Sequence, residues 1–118
     1  MLWGKLVRLN AVSSSTSAWD LPFGAVRDDP EKWAEVEAAV REGAAVARAE
    51  GADIPVDRVM AELSEVHATL RSSMQRDIAA GIPPEIDSIP GAFLAAAARH
   101  GIEAPAVQRL YDRITARL

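Results

Sequence analysis

Apolar residues recur every three or four positions along most of this chain, and short polar runs separate them. In DDPEKWAEVEAAVREGAAVARAEG the series Trp33, Val36, Val40, Ala44 and Ala47 lies along one helical face. Asp29 precedes it as N-cap, Pro30 takes the first helical position, and Gly51 ends it. VDRVMAELSEVHATLRSSM repeats the pattern with Val59, Leu63, Val66, Leu70 and Met74, which predicts one long helix, followed by a short polar one. A third amphipathic helix is predicted from Pro84 and Glu85 through Ile86, Ile89, Phe93 and Ala97 to His100 and Gly101, with Pro90 kinking it or delaying its start. A fourth begins near Pro105 and buries Val107, Leu110, Ile114 and Leu118. The opening stretch, WGKLVRLNAVSSSTSAW, makes one more helix.

The connectors DLPFGAVRD, ADIPVD, AAGIPP and IEAP each carry proline, glycine or a capping acid, as chain reversals require, and none has the length of a domain linker. Alanine is abundant, β-branched and aromatic residues are sparse, and no alternation is long enough for a sheet. The expected fold is all-α: a single compact bundle of five to six helices over residues 1–118.

Composition then narrows the chemistry. There is no cysteine, which excludes disulfides, thiolate metal sites and cysteine nucleophiles and makes a reducing cytoplasm the natural compartment. Two separated histidines, His67 and His100, are too few for a zinc site without carboxylates, so no metal is expected. A net charge of -4, with acids and bases interleaved, argues against a nucleic-acid partner. Lys5 and Arg8 interrupt the apolar opening stretch and leave no membrane-spanning segment. No glycine-rich strand-to-helix turn of the dinucleotide-binding type occurs, so this chain is expected to bind no nucleotide cofactor by itself.

Two stretches carry chemistry. WGKLV sets a lone lysine among Trp3, Leu6 and Val7, followed by hydroxyl residues 13–17, which is either a serine-rich linker or the wall of a polar pocket. LRSSMQRDIAAGIPPEID holds Ser72 and Ser73, then Glu85 and Asp87 near a proline-led helix start. Helix capping and dipole complementation account for these serines and acids without any site.

SSMQRDI followed by PPEIDSIPGAFLAAAARHGIEAP resembles the C-terminal half of the ketopantoate reductase (2-dehydropantoate 2-reductase) family, and WGKLV with FGAVRDDPE follows the family's W-x-K helix, hydroxyl-rich end and G-x-x-R loop in order. The resemblance covers essentially the whole chain. It implies an NADPH-dependent reduction of a 2-keto acid, with Lys5 as general acid, Glu85 as its partner acid and Ser73 as a substrate-contacting hydroxyl. Ser13 and Asn10 are further candidate substrate contacts on the first helix. Chemically, charge developing on a keto oxygen is stabilised and then protonated by a positioned ammonium; Trp3 and Leu6 would desolvate that ammonium and Glu85 would hold it.

Two positions depart from the family pattern: the asparagines that members place one and two turns after the lysine are Leu9 and Ser13 here, and the family's NG is Pro90 and Gly91. Ketopantoate or another 2-keto acid is therefore left open as substrate. The family's N-terminal Rossmann domain is not part of this chain, so NADPH is expected to bind only in the full enzyme, with that domain upstream or in trans. A homodimer is expected from the face such a domain would cover. The alternative is a non-catalytic helical module retained for dimerisation or ligand binding.

Elsewhere, Arg109, Arg113 and Arg117 form a stripe expected to be a solvated face, Trp19 and Trp33 are expected as core anchors, and His67 as a mid-helix boundary residue. Asp77 is a candidate to orient Ser73 or Lys5, or a plain surface acid.

Overall fold

The computed structural model describes residues 2–118, which form seven helices and no strand. They are α1 (Trp3–Trp19), α2 (Phe23–Asp28), α3 (Pro30–Ala49), α4 (Val56–Ser64), α5 (Ser73–Ala79), α6 (Pro90–His100) and α7 (Pro105–Thr115). The all-α architecture is as expected; the helix count is higher because FGAVRD, read as a connector, coils into α2.

α1 and α3 form the centre of the bundle: α3 packs along α1, α7 lies against both, and α6 closes over α3 and α7. Small residues permit this approach. A Cβ on Gly43 would meet Val7 at 3.3 Å and Phe93 at 3.2 Å, so the bare backbone of α3 lets α1 and α6 close on it. Trp3 then stacks on Phe93 with ring centroids 5.4 Å apart, and Val36, Val40, Val46, Val107, Leu110 and Ile114 complete a fully buried core.

The ends of α3 follow the sequence pattern. Asp29 accepts from the amides of Glu31 and Lys32, at 3.0 and 3.2 Å, and Pro30 occupies the first position. Within its predicted stripe Val36, Val40 and Ala47 are buried, whereas Trp33 and Ala44 are only partly so. α6 starts at Pro90, so proline delays the helix, and Glu85 and Asp87 stand outside it rather than in its first turn.

The helix predicted through Met74 stops at Ser64. Residues 65–72 instead give their carbonyls to other elements: Arg27 donates to Leu63 and Val66, and the amides of Phe23 and Gly24 donate to Leu70 and Ala68. These tertiary bonds replace the helical ladder in a segment of serine, threonine, histidine and valine, which hold a helix weakly. Met74 reaches the core from α5, His67 is exposed in the irregular segment, and Leu70 is exposed. Leu118, expected in the core, lies beyond the end of α7 and is 62% exposed.

The arginine stripe is not a plain solvated face. Arg109 pairs bidentately with Glu35, at 2.8 and 2.6 Å; Arg113 lies over Trp19; and Arg117 donates to the Ser17 carbonyl and faces Asp20. Trp19 and Trp33 are half-buried rather than central: Trp19 is flanked by Lys32 and Arg113, and Trp33 meets Phe23 edge-on. Among the described residues no helix is long and apolar enough to cross a membrane.

Candidate functional site

The hydroxyl run is neither linker nor surface. Residues 13–17 lie within α1 and all five are buried. The helix itself satisfies most of them: Ser15 donates to the Ala11 carbonyl at 2.6 Å, Thr16 to the Val12 carbonyl at 2.8 Å, and Ser14 to the Asn10 side chain at 2.6 Å. Small hydroxyls bonded back to the preceding turn leave room for neighbouring helices to close in.

Thr16 also reaches outward. Its hydroxyl is hydrogen-bonded to Ser72, 2.8 Å away, and Ser72 accepts from the Gln75 amide as N-cap of α5. Gln75 in turn donates to Asp20 at 2.9 Å. The hydrogen bond from Gln75 holds the Asp20 carboxyl below the usual carboxylate range, with Arg117 and Arg71 adding to it. α5 is therefore clamped onto the last turns of α1 by two polar bonds, which fixes where Ser73 stands.

Ser73, the first residue of α5, is exposed, and so is Glu85. Together they line a cavity of about 90 Å³ with Asp77, Met74 and Ile89. Asp77 follows Ser73 by one helical turn, and that i, i+4 spacing was the sequence signal for its place here. Met74 and Ile89, both buried, complete the lining; sequence reasoning had assigned them only to packing. Such a volume takes a few waters or one end of a small molecule. Its two carboxylates, unopposed by any base among the lining residues, make it a poor seat for an anion unless a cation shares it.

Lys5, Ser13 and Asn10 are not lining residues of this cavity. At about 100° per residue, Lys5, Leu9, Ser13 and Thr16 fall within a sector of about 80° on α1. Thr16 is the member bonded to Ser72, so this sector faces the start of α5. Ser13 is buried at its covered end, and Lys5 is exposed at its open end, with no ion pair to another described residue. Trp3 and Leu6 do not desolvate Lys5 as expected, because Trp3 turns into the core against Phe93. Asn10 lies about 140° around the helix from Lys5. It is buried and bonded to Ser14.

The G-x-x-R motif is explained by the fold. A Cβ on Gly24 would come within 2.8 Å of the Ala68 backbone, and Arg27 caps the carbonyls at the end of α4. Both hold the irregular segment that delivers Ser72 and Ser73. Among the described residues no cluster of three or more histidines or acids is arranged to hold a metal.

The family model for the ketopantoate reductase PanE/ApbA C-terminal domain matches residues 1–117. The chain is 35% identical over 117 residues to 2-dehydropantoate 2-reductase of Shigella flexneri and 31% identical over 116 residues to that of Halobacterium salinarum. Each match covers 96% of this chain but only 37% and 38% of those relatives, so the chain spans under two-fifths of their length. Among solved structures, a PanE/ApbA family ketopantoate reductase from Ralstonia eutropha superposes with a TM-score of 0.89 at 29% identity, over 98% of this chain and 40% of that one. A dimeric ketopantoate reductase from Staphylococcus aureus shares the fold with a TM-score of 0.90 at 24% identity, over 98% of this chain and 42% of that one. By family-model match over nearly its whole length, this chain belongs to the ketopantoate reductase C-terminal domain family.

Proposed function

We propose that this chain is the substrate domain of a cytoplasmic, ketopantoate-reductase-type enzyme that reduces a 2-keto acid, and that Lys5, Glu85 and Ser73 are its working residues. The observation that carries the proposal is the cavity shared by Ser73 and Glu85, residues 12 positions apart on separate elements, beside the α1 sector that presents Lys5. The Lys5 ammonium supplies the cation that the two carboxylates call for. In turn it stabilises charge on the keto oxygen and delivers the proton, while Ser73 donates to the substrate carboxylate. Ser13 closes the buried end of the sector, and Asn10 supports it from the core side through Ser14.

These residues do not fit a nicotinamide dinucleotide. That grip needs a glycine-rich turn between a strand and a helix, and the described residues include no strand. The redox partner of the reaction is therefore assigned to a nucleotide-binding domain outside this chain, and the isolated chain to substrate binding without turnover. Homodimerisation belongs to the same proposal, supported by the apolar groove between Ile78, Ile82, Pro83, Pro84 and Leu118, where Ile82 is 53% exposed.

Amide NMR of the chain titrated with a 2-keto acid tests the assignment. Saturable shifts are expected at Lys5, Ser73 and Glu85, and Lys5→Met is expected to weaken binding at least about tenfold. Shifts confined to other surfaces would overturn it.

A further inference from the structure

Leu9 is 40% exposed one turn after Lys5, in the sector of α1 that faces α5. It stands about 6 Å along the helix from Lys5 and about 6 Å from Ser13, midway between an exposed ammonium and a buried hydroxyl. A molecule that reaches both the Lys5 ammonium and the cavity of Ser73 and Glu85 crosses the stretch of α1 between Lys5 and the Thr16–Ser72 bond. Within that stretch Leu9 is the exposed side chain of the sector, and the half-buried Val12 follows it. Neither has a donor or acceptor. The nearest amide, Asn10, is turned to the core and bonded to Ser14, so it offers nothing on this side. A substrate hydroxyl laid against Leu9 would lose water and gain no partner, whereas an alkyl or aryl group there would bury apolar area.

We propose that Leu9 is a specificity-determining residue, and that the substrate is a 2-keto acid whose side chain is apolar where it crosses Leu9. The role of Leu9 rests on the reading of Lys5, Ser73 and Glu85 as the substrate site.

The test uses the chain itself and two probes that differ by a single hydroxyl, trimethylpyruvate and 2-dehydropantoate, followed by amide NMR. Both are expected to shift Ser73 and Glu85, with trimethylpyruvate about tenfold tighter. Leu9→Asn is expected to erase or reverse that preference and Leu9→Met to keep it; Leu9 is partly exposed, so neither change opens a core cavity. Equal affinities, tighter binding of 2-dehydropantoate, or a preference that survives Leu9→Asn would overturn the role of Leu9 while leaving the site reading intact. No shift at Lys5, Ser73 or Glu85 with either probe would overturn both.

Discussion

Gly24 shows what a single absent side chain does for this fold. Its amide donates to the Ala68 carbonyl at 2.9 Å, and an added Cβ would lie 2.6 Å from the Ala68 Cβ and 2.8 Å from that same carbonyl oxygen. Backbone atoms cannot step aside as a flexible side chain can, so Gly24→Ala is expected to cost about 2 kcal/mol in urea unfolding. It should also shift the amides of residues 65–72, which lead into Ser73. An unchanged unfolding midpoint would show that the segment yields freely. Ser17 is the opposite case, a side chain with no polar work: its buried hydroxyl has no partner, while its backbone carbonyl accepts from Arg117. Ser17→Ala keeps the backbone bond, removes the unmatched hydroxyl and improves helix propensity. It is therefore expected to raise stability by about 0.5–1 kcal/mol, measured by the same denaturation.

At the scale of elements, two helix ends are finished by residues far away in sequence. Both carboxylate oxygens of Glu42 on α3 accept from the first amides of α7, Ala106 and Val107, each at 2.9 Å. These are donors that no intrahelical carbonyl can take. Glu42→Ala leaves them unpartnered and is expected to cost about 1–2 kcal/mol, with the amides of α7 losing hydrogen-exchange protection before those of α3. Uniform loss across both helices would indicate that α7 has no separate end to fray. At the other junction, Arg27 takes the carbonyls that α4 leaves free, and a periodic sequence stops being helical where it could have continued. Helix α3 was legible because its cap, its proline and its glycine stop are local signals. The segment after Ser64 was not, because its outcome depends on α2 arriving beside it.

Across the whole molecule, ionic contacts tie together helices that meet only in the tertiary fold. Arg8 on α1 pairs with Glu62 on α4, Glu50 at the end of α3 meets His100 and Arg99 on α6, and Asp20 after α1 accepts from Gln75 on α5. Hydrogen bonds from Arg8, His100 and Gln75, respectively, hold the Glu62, Glu50 and Asp20 carboxyls below their ordinary values. A carboxyl depressed in the folded state stabilises the protein above its unfolded pKa, and that contribution is lost as pH falls through the folded value. Stability should thus be level from neutral pH to about 5 and decline below about 4, followed by urea midpoints at each pH. Each pair is solvent-exposed, so the decline is expected to be shallow and to soften in salt. A midpoint that rises on acidification would contradict this assignment.

By itself the sequence determined what near neighbours decide: an all-α chain, the starts of α3, α6 and α7 at their prolines, the lack of a dinucleotide turn, and the order of the motifs in WGKLV, SSMQRDI and PPEID. Only the tertiary structure decided which faces are covered, because burial depends on elements distant in sequence. Lys5 looked buried among apolar residues and is exposed, since Trp3 turns inward to meet Phe93 from α6. The hydroxyl run looked like linker or pocket wall and became the buried part of α1, because such small side chains bond back along the helix and let α5 lie against it. Ser73 and Glu85 share a cavity for the same reason: no local pattern sets a distance between a residue that opens α5 and one in the loop before α6, and only packing brings them together.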